Sequence, residues 1–144
     1  MDRPLKVVAY IIRDERLLVF VHADHASPLQ AGVQVPAGSV RPGELPQAAV
    51  LREAFEETDL SGLRIERFLG MAEYDARPYR AEIHVRHFFH LSVDAPRVPE
   101  RWTAYERGDG DIEPIRFEVF WIPLKQAHVV SAGQAALLGR VFDD

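Results

Sequence analysis

The chain has no cysteine among its 144 residues, which excludes disulfides, thiolate metal sites and cysteine nucleophiles in one step. Any chemistry has to come from carboxylates, histidines, hydroxyls or a bound metal. Long hydrophobic runs are also missing. The longest near the N-terminus, Val7 to Ile12, falls far short of the roughly 20 apolar residues that span a bilayer. No small-residue cleavage pattern follows it, so a cytoplasmic protein is expected. Positive charge is the third shortage: 17 Lys and Arg stand against 22 Asp and Glu, for a net charge of −5. A broad basic surface for nucleic acid is therefore not expected, although a local basic pocket stays open.

What is present is the make-up of a soluble globular protein, with a 47% hydrophobic and 27% charged composition that separates it from disordered and fibrous chains. The length suits one domain over residues 1–144. Leu5 to Ile12 and Arg16 to His22 are β-branched and aromatic runs around Arg13, Asp14 and Glu15, the pattern of a hairpin of buried strands. The polar stretch from Ala23 to Gly32 predicts a loop, and Val33 to Val35 a short strand stopped by Pro36 and Gly38. Leu63 to Ala72 and Glu82 to Val93 predict longer strands. In the second, Ile83, Val85, Phe89, Leu91 and Val93 share one face, and Glu82, His84, Arg86 and His90 the other. Asp94 to Pro114, rich in Pro, Gly and charge, predicts a loop of about twenty residues. Phe117 to Ile122 is a strand again, and Ser131 and Gln134 have capping-box spacing for a last helix through Leu138. The class expected is α/β (α+β), with a mixed central sheet sandwiched between helices as an α/β/α arrangement.

The clearest helix runs from Pro46 to Thr58, with Pro46 suited to the first turn and Leu45 a poor cap that costs roughly 1 kcal/mol. Ala48, Leu51, Phe55 and Thr58 recur at helical spacing and predict its buried stripe. Glu53, Glu56 and Glu57 fall within an arc of about 100° on the opposite side. Three like charges at such spacings repel, so something positive is expected among them. Clustered carboxylates without thiols or paired histidines suit a hard divalent cation such as Mg²⁺ or Mn²⁺. A lone Glu-x-x-Glu-Glu is ordinarily a solvated acidic face, but its surroundings here are more specific.

Those surroundings are Gly38, five residues, Glu44, seven residues, then Arg52, Glu53, Ala54, Phe55, Glu56 and Glu57. In this register Gly38 to Leu60 closely resembles the Nudix box, a match expected by chance on the order of once in 10⁵ chains of this length. One position departs: Asp59 stands where the family pattern has Gly, which predicts a more strained helix end. The likeness extends loosely to Phe117 to Leu124.

The resemblance implies a Mg²⁺- or Mn²⁺-dependent hydrolase that cleaves a nucleoside diphosphate linked to another group, by attack of metal-activated water on phosphorus. It further implies that Glu53, Glu56, Glu57 and the Gly38 carbonyl hold the metal. Arg52 would orient the carboxylates, and Glu44 would brace the loop against the helix. The base in relatives is either a glutamate of the box, here Glu53, or one from a later segment. Glu100, Glu106, Glu113 and Glu118 are the later candidates, with Glu113 preferred because it closes the long loop. Substrate selection is poorly written: Tyr74, Tyr79, Trp102 and Tyr105 could stack a base or pin loops. His87 points away from His84 and His90 on a strand, which speaks against zinc, and Asp109, Asp111 and Glu113 read as a solvated acidic loop. A small-molecule nucleoside diphosphate derivative is the expected partner, and a homodimer is left open. The rival is a nucleotide-binding sensor of the same fold without hydrolysis. An isopentenyl diphosphate isomerase is disfavoured because those proteins use a catalytic cysteine.

Overall fold

The N-terminal hairpin forms where hydrophobic runs flank a tight turn: β1 (Leu5–Arg13) pairs antiparallel with β2 (Arg16–His22), Arg13 opposite Arg16. Asp14 and Glu15 both take left-handed φ values, 54° and 60°, as a two-residue turn matched to strand twist requires. The structure, a computed structural model, describes residues 1–23, 32–106, 114–131 and 133–142.

Around the hairpin, a mixed sheet runs in the order β4-β5-β1-β2-β7-β6, with β3 paired to β1. The other strands are β3 (Ala37–Ser39), β4 (Leu63–Asp75), β5 (Ile83–Val93), β6 (Arg101–Glu106) and β7 (Ile115–Pro123). Strands β1 and β5 run parallel, Lys6 beside Arg86 and Tyr10 beside His90. Alternation along β1 fills two cores. Val7, Ala9 and Ile11 face α1 (Pro46–Thr58), while Val8 and Tyr10 face the C-terminal 3₁₀ turns Leu124–Val129 and Leu138–Phe142.

The short strand lies at Ala37–Ser39 instead of Val33–Val35. Val33 and Gln34 make only isolated bridges, because their backbone partners are divided between Val130 and Phe20. The stretch expected as one long loop contains β6, paired residue by residue with β7 from Arg101 opposite Phe120 to Glu106 opposite Ile115. An edge strand tolerates the charges that disguised it. The chain before β6 is pinned as well, since Arg13 donates to the carbonyls of Ala95 at 2.7 Å and Pro96 at 3.2 Å.

No capping box forms at Ser131. Its N–H bonds the Val33 carbonyl, and the Gln134 side chain instead accepts the Val35 N–H at 2.8 Å. The segment is therefore drawn into turns and a short 3₁₀ helix tied to the sheet.

Helix α1 buries Ala49, Val50, Ala54, Glu57 and Thr58, so of the predicted stripe Thr58 is buried and Leu51 packs at the margin of the core, while the other two positions are not buried. Ala48 is exposed and Phe55 is 49% exposed. Small side chains let the helix approach the sheet closely, and a Phe on that face would hold it away. The acidic arc thus borders the buried face and does not oppose it. At the start, Leu45 gives no side-chain cap. At the end, Asp59 is left-handed (φ 62°, ψ 18°) and its N–H bonds the Phe55 carbonyl.

That conformation costs an L-residue free energy that glycine does not incur. Asp59→Gly should raise stability by up to about 1 kcal/mol in urea denaturation. A lower stability would show that the Asp59 side chain contributes more than its backbone strain removes.

Candidate metal centre

The site grows from the contact between α1 and β3. The N–H of Ala37 donates to a Glu57 carboxylate oxygen at 2.8 Å, which satisfies part of a side chain on a residue only 8% exposed. Next along β3, Gly38 lies flat against Glu53. A Cβ at Gly38 would stand 2.0 Å from the Glu53 carboxyl carbon, so hydrogen is the only side chain that leaves this carboxylate in place. The requirement is steric, since the backbone there is not left-handed.

Arg52 is the positive charge that three glutamates require. Its guanidinium grips Glu44 through two N–H groups, each 2.9 Å from an oxygen. It also bonds Glu53 at 2.8 Å, the Ser39 carbonyl at 2.9 Å, and Glu56 more loosely at 3.4 Å. Glu44 in turn accepts the Arg41 N–H at 3.0 Å. One planar cation therefore fixes the loop, the strand and the helix relative to one another.

From the opposite side β6 delivers Glu106. Ligand oxygens of Glu53, Glu56 and Glu106 lie within 4.8 Å of one another. Trp102 and Ala104 share the face of β6 that carries Glu106. Trp102 locks the strand to the helix by donating from its indole N–H to the Thr58 carbonyl at 2.7 Å. An all-oxygen donor set, with a glycine cleared to admit it, fits a hard divalent cation such as Mg²⁺ or Mn²⁺.

Burial makes these acids reluctant to ionise. Glu57 is pushed well above the usual carboxylate range, first by desolvation and then by the charge of Glu106, against the pull of the Ala37 N–H. Glu53 is raised chiefly by burial, with Arg52 opposing. Glu106 is raised by burial and by the charges of Glu53 and Glu56. Glu44 behaves oppositely: the Arg52 bonds, then the Arg41 N–H, hold it down at about 2.

The remaining candidates separate by place. Glu100 pairs with Arg16 at 2.5 Å and Glu118 accepts from Thr103 at 2.9 Å, both away from the acids. Glu113, the preferred base, lies outside the described residues together with Asp109 and Asp111. Glu106 carried less weight on sequence, yet the two-residue alternation of Trp102, Ala104 and Glu106 was the signal for it. Of the aromatic residues, Trp102 is committed to the helix end, and Tyr74 has the Arg86 guanidinium carbon 4.2 Å from its ring centre. Tyr79 and Tyr105 are exposed, with Tyr105 on the face of β6 opposite Glu106. His84 bonds Glu82 at 3.1 Å, whereas His87 lies against Phe68. A hollow of about 410 Å³ between Pro46, Ile65, Phe68 and Phe89 sits at the other end of the helix, with none of the acids in its lining.

Two outcomes test this geometry. Gly38→Ala should weaken Mg²⁺ binding about tenfold or more by displacing Glu53, with stability within about 1 kcal/mol of the native chain, because a flexible carboxylate end can give way; unaltered Mg²⁺ titration would refute the packing role. A carboxyl raised on folding contributes stability that is complete below its ordinary value of 4.5 and lost as pH rises through the folded value. In metal-free protein, the melting temperature of Glu57→Gln should therefore gain on the native one as pH climbs from about 4.5, and Mg²⁺ should close the gap. A difference independent of pH would mean that Glu57 ionises normally.

A model of the NUDIX domain matches residues 2–141. Among solved structures, a NUDIX hydrolase from Nitrosomonas europaea is 19% identical, with a TM-score of 0.68 over 97% of this chain and 86% of that one. A MutT NUDIX hydrolase from Burkholderia pseudomallei is also 19% identical, with a TM-score of 0.69 over 98% and 99%. A bifunctional NMN adenylyltransferase/ADP ribose pyrophosphatase from Francisella tularensis, solved with AMP and a Mn ion, is 18% identical, with a TM-score of 0.63 over 98% of this chain and 41% of that one. At these identities the likeness concerns the fold. No curated protein matches the chain.

Proposed function

Because the chain belongs to the Nudix domain family, we propose that it hydrolyses the diphosphate linkage of a small nucleoside diphosphate derivative. The observation that carries this reading is the convergence of Glu53, Glu56 and Glu106 from helix and strand onto one point. A bound Mg²⁺ or Mn²⁺ would neutralise diphosphate oxygens and lower the pKa of a water. Glu53 and Glu56, with Glu57 and the Gly38 carbonyl beside them, would hold it, while Glu106, whose oxygen lies within 4.8 Å of theirs, would face the water bound there, and Arg52 keeps Glu53 and Glu56 from springing apart. ADP ribose pyrophosphatase activity in the name of the Francisella tularensis relative agrees with this substrate class.

Glu106 is the proposed proton acceptor, in the place first given to Glu113. Burial raises its proton affinity, which brings a carboxylate nearer to the pH at which it must take a proton from water. Glu53, in contrast, is committed to Arg52 at 2.8 Å.

The test is a screen of nucleoside diphosphate derivatives with Mg²⁺ and Mn²⁺, followed by variants on whichever is cleaved. Glu56→Gln and Glu57→Gln should each lower kcat by about 100-fold or more and weaken the metal. Glu106→Gln should lower kcat by about 100-fold while Mg²⁺ affinity stays within about threefold, as a base touches water and not the ion. Binding without cleavage across the screen would favour the sensor, and a matching loss of affinity in Glu106→Gln would make that residue a ligand.

A further inference from the structure

Strand β6 ends the sheet and is bonded along one side, through its pairing with β7. That pairing sets its register and so decides how far along the sheet Glu106 stands. A second set of ties holds the chain just before it. Arg13 donates to the carbonyls of Ala95 and Pro96, the Trp121 indole N–H donates to the Pro99 carbonyl at 3.1 Å, and Arg16 grips both oxygens of Glu100. These ties are carried by β1, β2 and β7 and not by α1. They fix where β6 begins. A strand bonded along one side can still tilt about that line of bonds, since the angle between neighbouring strands ranges over tens of degrees. Such a tilt carries one face of β6 towards the helix or away from it.

The side chains on that face are Trp102, Ala104 and Glu106. Ala104 is buried in the same core cluster as Ala49, Val50 and Ala54 of the helix, with Trp102 packed against it. Among the described residues, one hydrogen bond joins β6 to α1: the Trp102 indole N–H on the Thr58 carbonyl at 2.7 Å. Thr58 is the last residue of the helix, where carbonyls have no partner within the helix. The acceptor is itself anchored. The Thr58 hydroxyl bonds the Ala54 carbonyl at 2.6 Å, and the next N–H, of Asp59, bonds the Phe55 carbonyl. Ala54 follows Glu53 and Phe55 precedes Glu56, so the indole is tied to the turn of helix that carries these acids. Across from them stands Glu106, its ligand oxygen within 4.8 Å of theirs.

We propose that Trp102 is a positioning residue for Glu106: by bonding the end of α1 it sets the gap across which Glu106 meets Glu53 and Glu56. The placement stands on geometry alone, and its effect on rate rests on the hydrolase reading. A reacting group displaced by about 1 Å can cost about 100-fold in rate. Loss of one bond from a strand still paired with β7 moves Glu106 less than that, so a smaller effect is expected. Trp102 itself takes no proton and holds no metal.

Trp102→Phe keeps an aromatic ring and removes the N–H. On a cleaved substrate it should lower kcat about tenfold, with KM and calorimetric Mg²⁺ affinity within about threefold. Glu100→Ala, which loosens the chain before β6 without touching the helix, should leave kcat within about twofold. In a Glu106→Gln background, Trp102→Phe should cost less than about twofold more, because both changes act through one group. Unchanged kcat in Trp102→Phe, an equal loss in Glu100→Ala, a parallel loss of Mg²⁺ affinity, or a full tenfold loss on top of Glu106→Gln each overturns the proposal. A second measurement needs no activity: in metal-free protein with ¹³C-labelled glutamate carboxyls, Glu53→Gln should shift the Glu106 signal, and in Trp102→Phe that shift should be less than half as large. An equal shift in both proteins, or none in the native one, overturns the placement. A smaller shift in a protein that cleaves nothing sinks the hydrolase reading and leaves the placement supported. Should Trp102→Phe not fold, β-(3-benzothienyl)alanine introduced at position 102 by nonsense suppression keeps the bicyclic shape with sulfur in place of the N–H, and the same outcomes apply.

Discussion

The arrangement depends on one planar cation. Arg52 reaches Glu44 in the loop before the helix, the Ser39 carbonyl on β3, and Glu53 and Glu56 on its own helix. A lysine could neutralise the same charges, but its single ammonium could not grip Glu44 with two parallel bonds and still address the strand and the helix. The guanidinium side chain is 18% exposed, which weakens the screening that makes most surface ion pairs unimportant. Remove it and the glutamates repel one another while the loop loses its brace.

The helix then has to bury an edge that carries acid. Ordinary amphipathic logic would turn Glu53, Glu56 and Glu57 to water and anchor the helix by Leu51 and Phe55. Ala49, Val50 and Ala54 form the contact with Leu51 at its margin, Phe55 stays half exposed, and Glu57 enters the interior with its oxygen on the Ala37 N–H. The same contact that aligns α1 with β3 therefore leaves carboxylates short of water, and raises the proton affinity of Glu53, Glu57 and Glu106. A divalent cation at this point would offset repulsion that the bare protein has to sustain, so affinity for such an ion and strain without it would share one origin.

Much of this was legible in the sequence because it is local. The hairpin, the helix limits Pro46 to Thr58 and the left-handed end at Asp59 follow from spacing over fewer than ten residues or from a compact motif. What sequence could not supply depended on partners far along the chain. Sequence spacing centres the buried face of α1 too near Phe55, because Phe55 outweighs Ala54 in any hydrophobic count, while closeness to the sheet favours the smaller residue. Strand β6 was hidden since its charges are those of a sheet edge, and its pairing with β7 is visible only once the fold is closed. The Ser131 and Gln134 pattern was a sound local signal that lost to the Val33 and Val35 backbone, which needed those partners more.

Lys6 belongs to the same category of residue, and its placement shows what the sheet contributes beyond support. In sequence it interrupts an apolar strand and resembles a tolerated edge charge. The parallel pairing of β1 with β5 sets it beside Arg86, and the antiparallel pairing with β3 sets it beside Ser39. Neither neighbour lies within thirty positions of it. Because β3 is only Ala37–Ser39, three small residues stand between the acids on one side and Lys6 on the other. Ala37 and Gly38 serve Glu57 and Glu53, and Ser39 joins Arg52 to Lys6. A short strand of small residues is therefore the divider between the acids and Lys6. A larger side chain at Gly38 would disturb the acids directly, and loss of the Ser39 hydroxyl would leave Lys6 without its bond to β3 while the carbonyl still ties the strand to Arg52.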